Sequence, residues 1–138
     1  MIITEYKKFR GVVSFDFDGV LHTSMIPGTL HPLNFRLPKT CKPNLKLHDI
    51  LRNEQKTHKV IIVTARDTWN KPEIKEFLDM WNLHVDEIIT TDNRPKLDYL
   101  INNNVIRHYD DNTKMITELK DSGIEFILVD GEKLKKIS

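Results

Sequence analysis

The sequence has one cysteine, Cys41, in 138 residues. That excludes an intrachain disulfide and makes a reducing cytoplasm the expected compartment. No apolar run approaches the ~18 residues that a membrane-spanning helix needs. The opening stretch Met1-Ile2-Ile3-Thr4-Glu5-Tyr6-Lys7-Lys8 is charged too early for a secretory signal. An excess of one charge is missing too. Lys and Arg number 21 against 20 Asp and Glu, for a net charge of +1. No global field draws the chain to a polyanion or a membrane, so nucleic-acid binding would need a local basic patch. Internal repeats and low-complexity tracts are absent. Nothing in the sequence calls for an obligate protein partner.

What is present reads as globular. Apolar residues make up 39% and charged residues 30%, and residues 1–138 fit one domain of ordinary size. Five apolar runs predict strands: Val12–Phe15, Lys59–Val63, Val85–Ile89, Val105–Tyr109 and Glu125–Val129. Several are nearly continuous in apolar character, which suits strands covered on both faces of a parallel sheet. Helical stripes fall between them. They are Leu47, Ile50 and Leu51 after Pro43-Asn44; Ile74, Phe77, Leu78 and Trp81 after Asn70 and Pro72; Leu97, Leu100 and Ile101 after Pro95; and Met115, Ile116 and Leu119, with Gly123 as the expected C-terminal cap. The alternation predicts a three-layer, Rossmann-like α/β fold with a mostly parallel five-stranded sheet. The last lysines, Lys133-Leu134-Lys135-Lys136, read as a solvated tail.

One stretch interrupts the rhythm. Residues 19–43 are long for a strand-to-helix connection, where about 2–6 residues is usual. They contain Pro27, Gly28, Pro32, Pro38 and Pro43. Because the stretch leaves the first strand after Asp16 and Asp18, it is expected to form a flap over a site. Its histidines, His22 and His31, read as loop-surface or packing residues, and Cys41 as an inert thiol.

Open parallel sheets bind ligands beyond the carboxyl ends of their strands. The first strand is followed by Asp16 and Asp18, and the second by Thr64, Ala65 and Arg66. Arg94 and Lys96 follow the third strand, and Asp110 and Asp111 follow the fourth. Four carboxylates, a hydroxyl and cations would share one rim. Carboxylates gathered in this way repel one another, and a hard divalent cation resolves the repulsion. Oxygen-only ligands suit Mg²⁺.

The order Asp16-Phe17-Asp18-Gly19-Val20, Thr64, Lys96 and Asp110-Asp111 resembles the haloacid dehalogenase superfamily. The resemblance covers nearly the whole chain and implies a phosphatase. In that reading Asp16 attacks phosphorus and becomes an aspartyl-phosphate. Asp18 serves as general acid and then base, Thr64 and Ala65 hold the phosphate, and Lys96 neutralises charge. Arg66 is a candidate substrate contact. The Mg²⁺ would be held by Asp16, the backbone carbonyl of Asp18, and Asp111 or, as the alternative, Asp110, with Asp110 otherwise orienting Lys96.

Only 31 residues separate Thr64 from Lys96, too few for a large cap domain, so a capless member is expected. The segments Tyr109–Met115 with Gly123-Ile124-Glu125, and Thr64–Asp67, are similar to the phosphatase domain of phage-type polynucleotide kinase-phosphatases. That similarity implies a phosphorylated polynucleotide end, such as a 3′-phosphate, as substrate. A nucleotide or sugar phosphatase is the alternative. A domain that binds a phosphorylated ligand without turning it over is a third class.

Overall fold

The computed structural model describes residues 9–23 and 42–138. Most of the expected flap at 19–43, with His31 and Cys41, lies outside the described residues.

Six strands and four α-helices alternate among the described residues: β1 (Val12–Phe15), α1 (Leu45–Glu54), β2 (Lys59–Thr64), α2 (Lys71–Met80), β3 (Glu87–Thr90), α3 (Leu97–Asn102), β4 (Val105–Asp110), α4 (Lys114–Glu118), β5 (Glu125–Asp130) and β6 (Lys133–Lys136). The strand order is β3-β2-β1-β4-β5-β6. Strands β1 to β5 pair in parallel, and β6 pairs antiparallel to β5. The fold is therefore α/β with a mostly parallel sheet, and the described residues include no cap.

The expected five-stranded sheet is corrected to six strands. The added strand is the expected tail, Lys133–Lys136. It escapes an apolar reading because all four residues are exposed. A turn at Gly131, with φ +62°, folds it back on β5. Lysines on a sheet edge also discourage further strand pairing. Gly123 does not cap α4, which ends at Glu118. It takes up its positive φ of +83° in a later turn.

Period-two alternation sorts the core into two layers. Val13, Phe15, Val60 and Ile62 face Leu47, Leu51, Ile74, Phe77 and Leu78 of α1 and α2. Trp81, just past α2, packs on the same cluster. Ile61, Val63 and Phe126 face Leu100, Met115 and Leu119 on the side of α3 and α4. At ~25 cal/mol per Å² of apolar area, each such side chain contributes roughly 1.5–3 kcal/mol.

One polar bracket joins α1 to the sheet. Arg107 donates to both Glu54 oxygens at 2.7 Å, and the Tyr109 hydroxyl donates to Glu54 Oε2 at 2.6 Å. The Tyr109 ring stacks on Phe15, its register partner, with centroids 4.3 Å apart.

Strand β1 is the centre of this layout. The chain leaves it for β2 and β3 on one side, then crosses to β4 and β5 on the other. The reversal leaves a crevice at the carboxyl ends of β1 and β4, where ligands of such sheets bind.

Candidate active site

The crevice holds a cleft of about 300 Å³ lined by Asp16, Asp18, Gly19, Thr64, Ala65, Lys96 and the turn Asp110–Asn112. A larger groove of about 710 Å³ runs between α2 and the β3 edge, but none of these residues lines it. The chemistry of its walls, not its size, identifies the smaller cleft as the candidate site.

Each wall follows from local structure. Asp16 leaves β1 with its backbone N–H donating to the Tyr109 carbonyl at 2.9 Å, so the β1–β4 ladder extends into the site. Its Oδ1 accepts from the Phe17 N–H at 2.8 Å and lies 3.1 Å from Lys96 Nζ. Lys96 stands at the N-cap of α3 and is buried at 7% exposure. Its ammonium also donates to Asp110 Oδ2 at 2.6 Å. Asp110 ends β4 with no exposure. Its Oδ1 accepts from the Asn112 N–H at 3.0 Å, and Oδ2 is 2.7 Å from His108 Nε2. Both oxygens of Asp110 are therefore engaged within the protein. Asp111 stands on the rim, exposed as a residue but with its carboxylate packed directly over Gly19. Gly19 has φ +78°, and a Cβ there would overlap the Asp111 carboxylate. Only glycine allows that approach.

Electrostatics divide the carboxylates. Burial, then the charge of Asp110, pushes the Asp16 carboxyl well above its ordinary range despite Lys96. Burial and Asp110 likewise push Asp111 up to about 6. Burial acts in the same direction on Asp110, but the His108 hydrogen bond and the Lys96 charge outweigh it and hold the group well below the usual range. Burial would also lower Lys96, but attraction to Asp16 and Asp110 raises it instead. Burial lowers His108.

The donor set fits a metal ion. Carboxylate oxygens of Asp16, Asp110 and Asp111 lie within 4.8 Å of one another. The upward shifts of Asp16 and Asp111 come first from burial and then from the charge of Asp110, and a bound dication would oppose both by favouring the anions. Asp110 already accepts from Lys96, His108 and the Asn112 N–H, whereas Asp111 stands at the rim.

Asp18 faces a different environment. Arg66 closes on it with two hydrogen bonds, Nε to Oδ2 at 2.7 Å and Nη2 to Oδ1 at 2.6 Å. His22 Nε2 lies 2.8 Å from Oδ1. Burial would raise the Asp18 carboxyl, but Arg66 and then His22 override it and hold it well below the usual range. Arg66 is 7% exposed and spends its fork on Asp18 rather than on the cleft wall. Thr64 is buried at the wall, with Oγ1 accepting the Arg66 N–H at 3.3 Å. Arg94 is turned to the Tyr99 hydroxyl at 3.4 Å and does not line the cleft.

The structure thus gathers Asp16, Asp18, Thr64, Ala65, Lys96, Asp110 and Asp111 in one cleft and sets Arg66 behind Asp18. Sequence reasoning missed His108 and Ser14, which lie beneath Asp110. It also gave His22 no link to Asp18. The available signal was a polar residue at the middle of an apolar strand, as in Val12-Val13-Ser14-Phe15.

No helix among the described residues is long and apolar enough to cross a membrane. No family model matches the chain, and no curated protein matches it. Solved structures do. A chain of the Pnkp1/Rnl/Hen1 complex superposes with a TM-score of 0.70 at 18% identity, over 88% of this chain and 46% of that one. A chain of the Pnkp1/Rnl/Hen1 RNA repair complex superposes with a TM-score of 0.70 at 19% identity, over 92% and 43%. The likeness is one of fold, and this chain spans less than half the length of either.

Proposed function

We propose that this chain is a Mg²⁺-dependent phosphomonoester hydrolase of the haloacid dehalogenase type, with Asp16 as nucleophile and a phosphorylated polynucleotide end, such as a 3′-phosphate, as substrate. The observation that carries this reading is the surroundings of Asp16. A buried carboxylate sits 3.1 Å from a buried ammonium, shares metal-binding distance with Asp111, and opens on a cleft walled by Thr64. An ion pair needed only for stability would not need two further carboxylates whose charges oppose the ionisation of Asp16. The substrate class is supported by the fold shared with a chain of an RNA repair complex.

The residues divide the work. An Asp16 oxygen bonds to phosphorus as the bond from phosphorus to the leaving oxygen breaks, and the leaving oxygen takes a proton from the Asp18 carboxyl. In the second half, the Asp18 carboxylate takes a proton from water as that water attacks phosphorus. The Asp16–phosphorus bond breaks and inorganic phosphate leaves. Splitting one displacement into two lowers each barrier. Lys96 stabilises the equatorial charge, and the Thr64 hydroxyl donates to a phosphate oxygen. Mg²⁺, held by Asp16, Asp111 and the Asp18 backbone carbonyl, would supply the charge that keeps Asp16 ionised and screens it from the phosphate.

As described, Asp18 is in the anionic form suited to the second half. The first half requires it to leave Arg66 carrying a proton.

The test is turnover with Mg²⁺ on a 3′-phosphorylated oligonucleotide, a mononucleotide panel, sugar phosphates and an aryl phosphate. The expected result is phosphate release that prefers the oligonucleotide and is abolished in Asp16→Asn. Preference for mononucleotides would overturn the substrate class, and no release from any ester would overturn the hydrolase reading.

A further inference from the structure

Beneath Asp110 lies a closed chain of polar groups that the proposed chemistry does not use. Ser14 Oγ is 2.6 Å from His108 Nδ1, and His108 Nε2 is 2.7 Å from Asp110 Oδ2. The same Oδ2 is 2.6 Å from Lys96 Nζ, which in turn lies 3.1 Å from Asp16. Ser14, His108 and Asp110 have no exposure at all.

The placement follows from strand geometry. Ser14 and His108 are register partners on β1 and β4. His108 and Asp110 are two apart on β4 and share a face. Lys96 comes down onto that face from the start of α3.

A serine, a histidine and an aspartate in hydrogen-bond contact suggest a nucleophilic triad. Here the serine is sealed inside the sheet, where no substrate atom can reach it. The set must do something else. Burying a hydroxyl and an imidazole at the centre of a sheet is costly unless every polar atom finds a partner. In this chain they do. Asp110, ionised beside Lys96, can only accept, so a neutral His108 ring donates Nε2–H to it and Nδ1 is left to accept from the Ser14 hydroxyl. Asp110 Oδ2 then receives two donors, and Oδ1 receives the Asn112 N–H. The carboxylate cannot turn toward the cleft without breaking this set.

We propose that His108, backed by Ser14, is a positioning residue. It locks Asp110 toward Lys96, so that the ammonium stays over Asp16 and Asp110 stays off the metal. The consequence for turnover rests on the hydrolase reading above; the locking itself does not.

The experiment compares His108→Phe, His108→Gln and Ser14→Ala by two readouts. One is the Lys96 ammonium resonance in ¹H–¹⁵N spectra, assigned by its loss in Lys96→Met. The other is kcat with Mg²⁺. His108→Phe keeps a flat ring, slightly larger, but removes both bonds, so the ammonium resonance should shift or vanish and kcat should fall about 10–100-fold. In His108→Gln the amide nitrogen can replace Nε2, so both readouts should stay near wild type, with kcat within about threefold. Rescue of that kind distinguishes positioning from bulk packing. Ser14→Ala removes one hydroxyl and should shift the resonance while the fold persists; it decides the matter if His108→Phe does not fold. An unmoved Lys96 resonance in Ser14→Ala or in folded His108→Phe would overturn the proposal. If wild type hydrolyses nothing, the hydrolase reading fails, and the resonance still reports on the locking.

Discussion

Arg66 holds Asp18 through both carboxylate oxygens, at 2.7 and 2.6 Å, and this sets Asp18 apart from Asp16 two residues earlier. Asp16 is pushed up by burial and Asp110, while Asp18 is held down by the guanidinium and His22. Both shifts run against the proposed roles in the metal-free state: Asp16 has to be ionised to attack, which a bound dication would favour, and Asp18 has to leave Arg66 to carry a proton.

The Arg66–Asp18 clamp is predicted to contribute to stability in a pH-dependent way. Arg66→Met leaves a largely buried carboxylate without its main partner and should lower unfolding free energy at pH 7 by roughly 3 kcal/mol. The Asp18 carboxyl is depressed in the folded state. Its contribution is therefore complete above the unfolded value of ~4 and is lost as pH falls toward the folded value. Urea unfolding at pH 7 and pH 3 checks this, and the gap between wild type and variant should narrow at pH 3. An unchanged gap would assign the effect to Arg66 packing over the Phe17 ring, 5.2 Å away.

Gly19→Ala should act at the site, whereas Gly131→Ala should not. Both glycines have positive φ, and both substitutions carry a backbone cost of about 1–2 kcal/mol. A Cβ at Gly131 meets open space, but at Gly19 it meets the Asp111 carboxylate. Calorimetric titration with Mg²⁺ should show weakened binding for Gly19→Ala alone. Equal binding by both variants would remove Asp111 from the metal site.

Asp111 is predicted to tie metal binding to pH. Its folded value of about 6 lies above the unfolded one. The metal-free protein therefore loses stability as pH rises between ~4 and about 6, where the unfolded state binds fewer protons. Asp111→Asn removes this penalty. Because Asp111 is exposed, solvent screens the effect to ~1 kcal/mol or less. Thermal melts in chelator should find the variant more stable than wild type at pH 8 and equal to it at pH 4. Mg²⁺ affinity of the wild type should fall as pH drops below about 6, since protons compete for the ligand.

Glu54 should matter to the fold but not to the chemistry. Burial raises its carboxyl, yet Arg107 and Tyr109 outweigh this and lower it. Glu54→Gln leaves the part-buried Arg107 without its main anionic partner and should cost roughly 3 kcal/mol at pH 7, with kcat at 25 °C unchanged. A loss of kcat in the folded variant would connect this bracket to the site.

The layers and the cleft were legible in sequence for a simple reason. Continuous apolar runs such as Val60–Val63 mark parallel strands, and parallel strands bring Asp16, Thr64, Lys96 and Asp110 to one edge. Strand β6 was not legible, because an edge strand of exposed lysines carries no apolar signal. The connections among polar side chains were also hidden. Ser14 and His108 are 94 residues apart and meet only through the β1–β4 register. The Arg66 guanidinium could have faced the cleft or Asp18, and only side-chain geometry shows that it grips Asp18.

The central claim is that Asp16 carries a phosphoryl group during turnover. The most direct measurement is acid-quench mass spectrometry of the protein turning over a 3′-phosphorylated oligonucleotide with Mg²⁺. The expected result is one hydroxylamine-labile phosphoryl group on the peptide containing Asp16, absent from Asp16→Asn. Phosphate release with no such adduct, or undiminished release by Asp16→Asn, would contradict it.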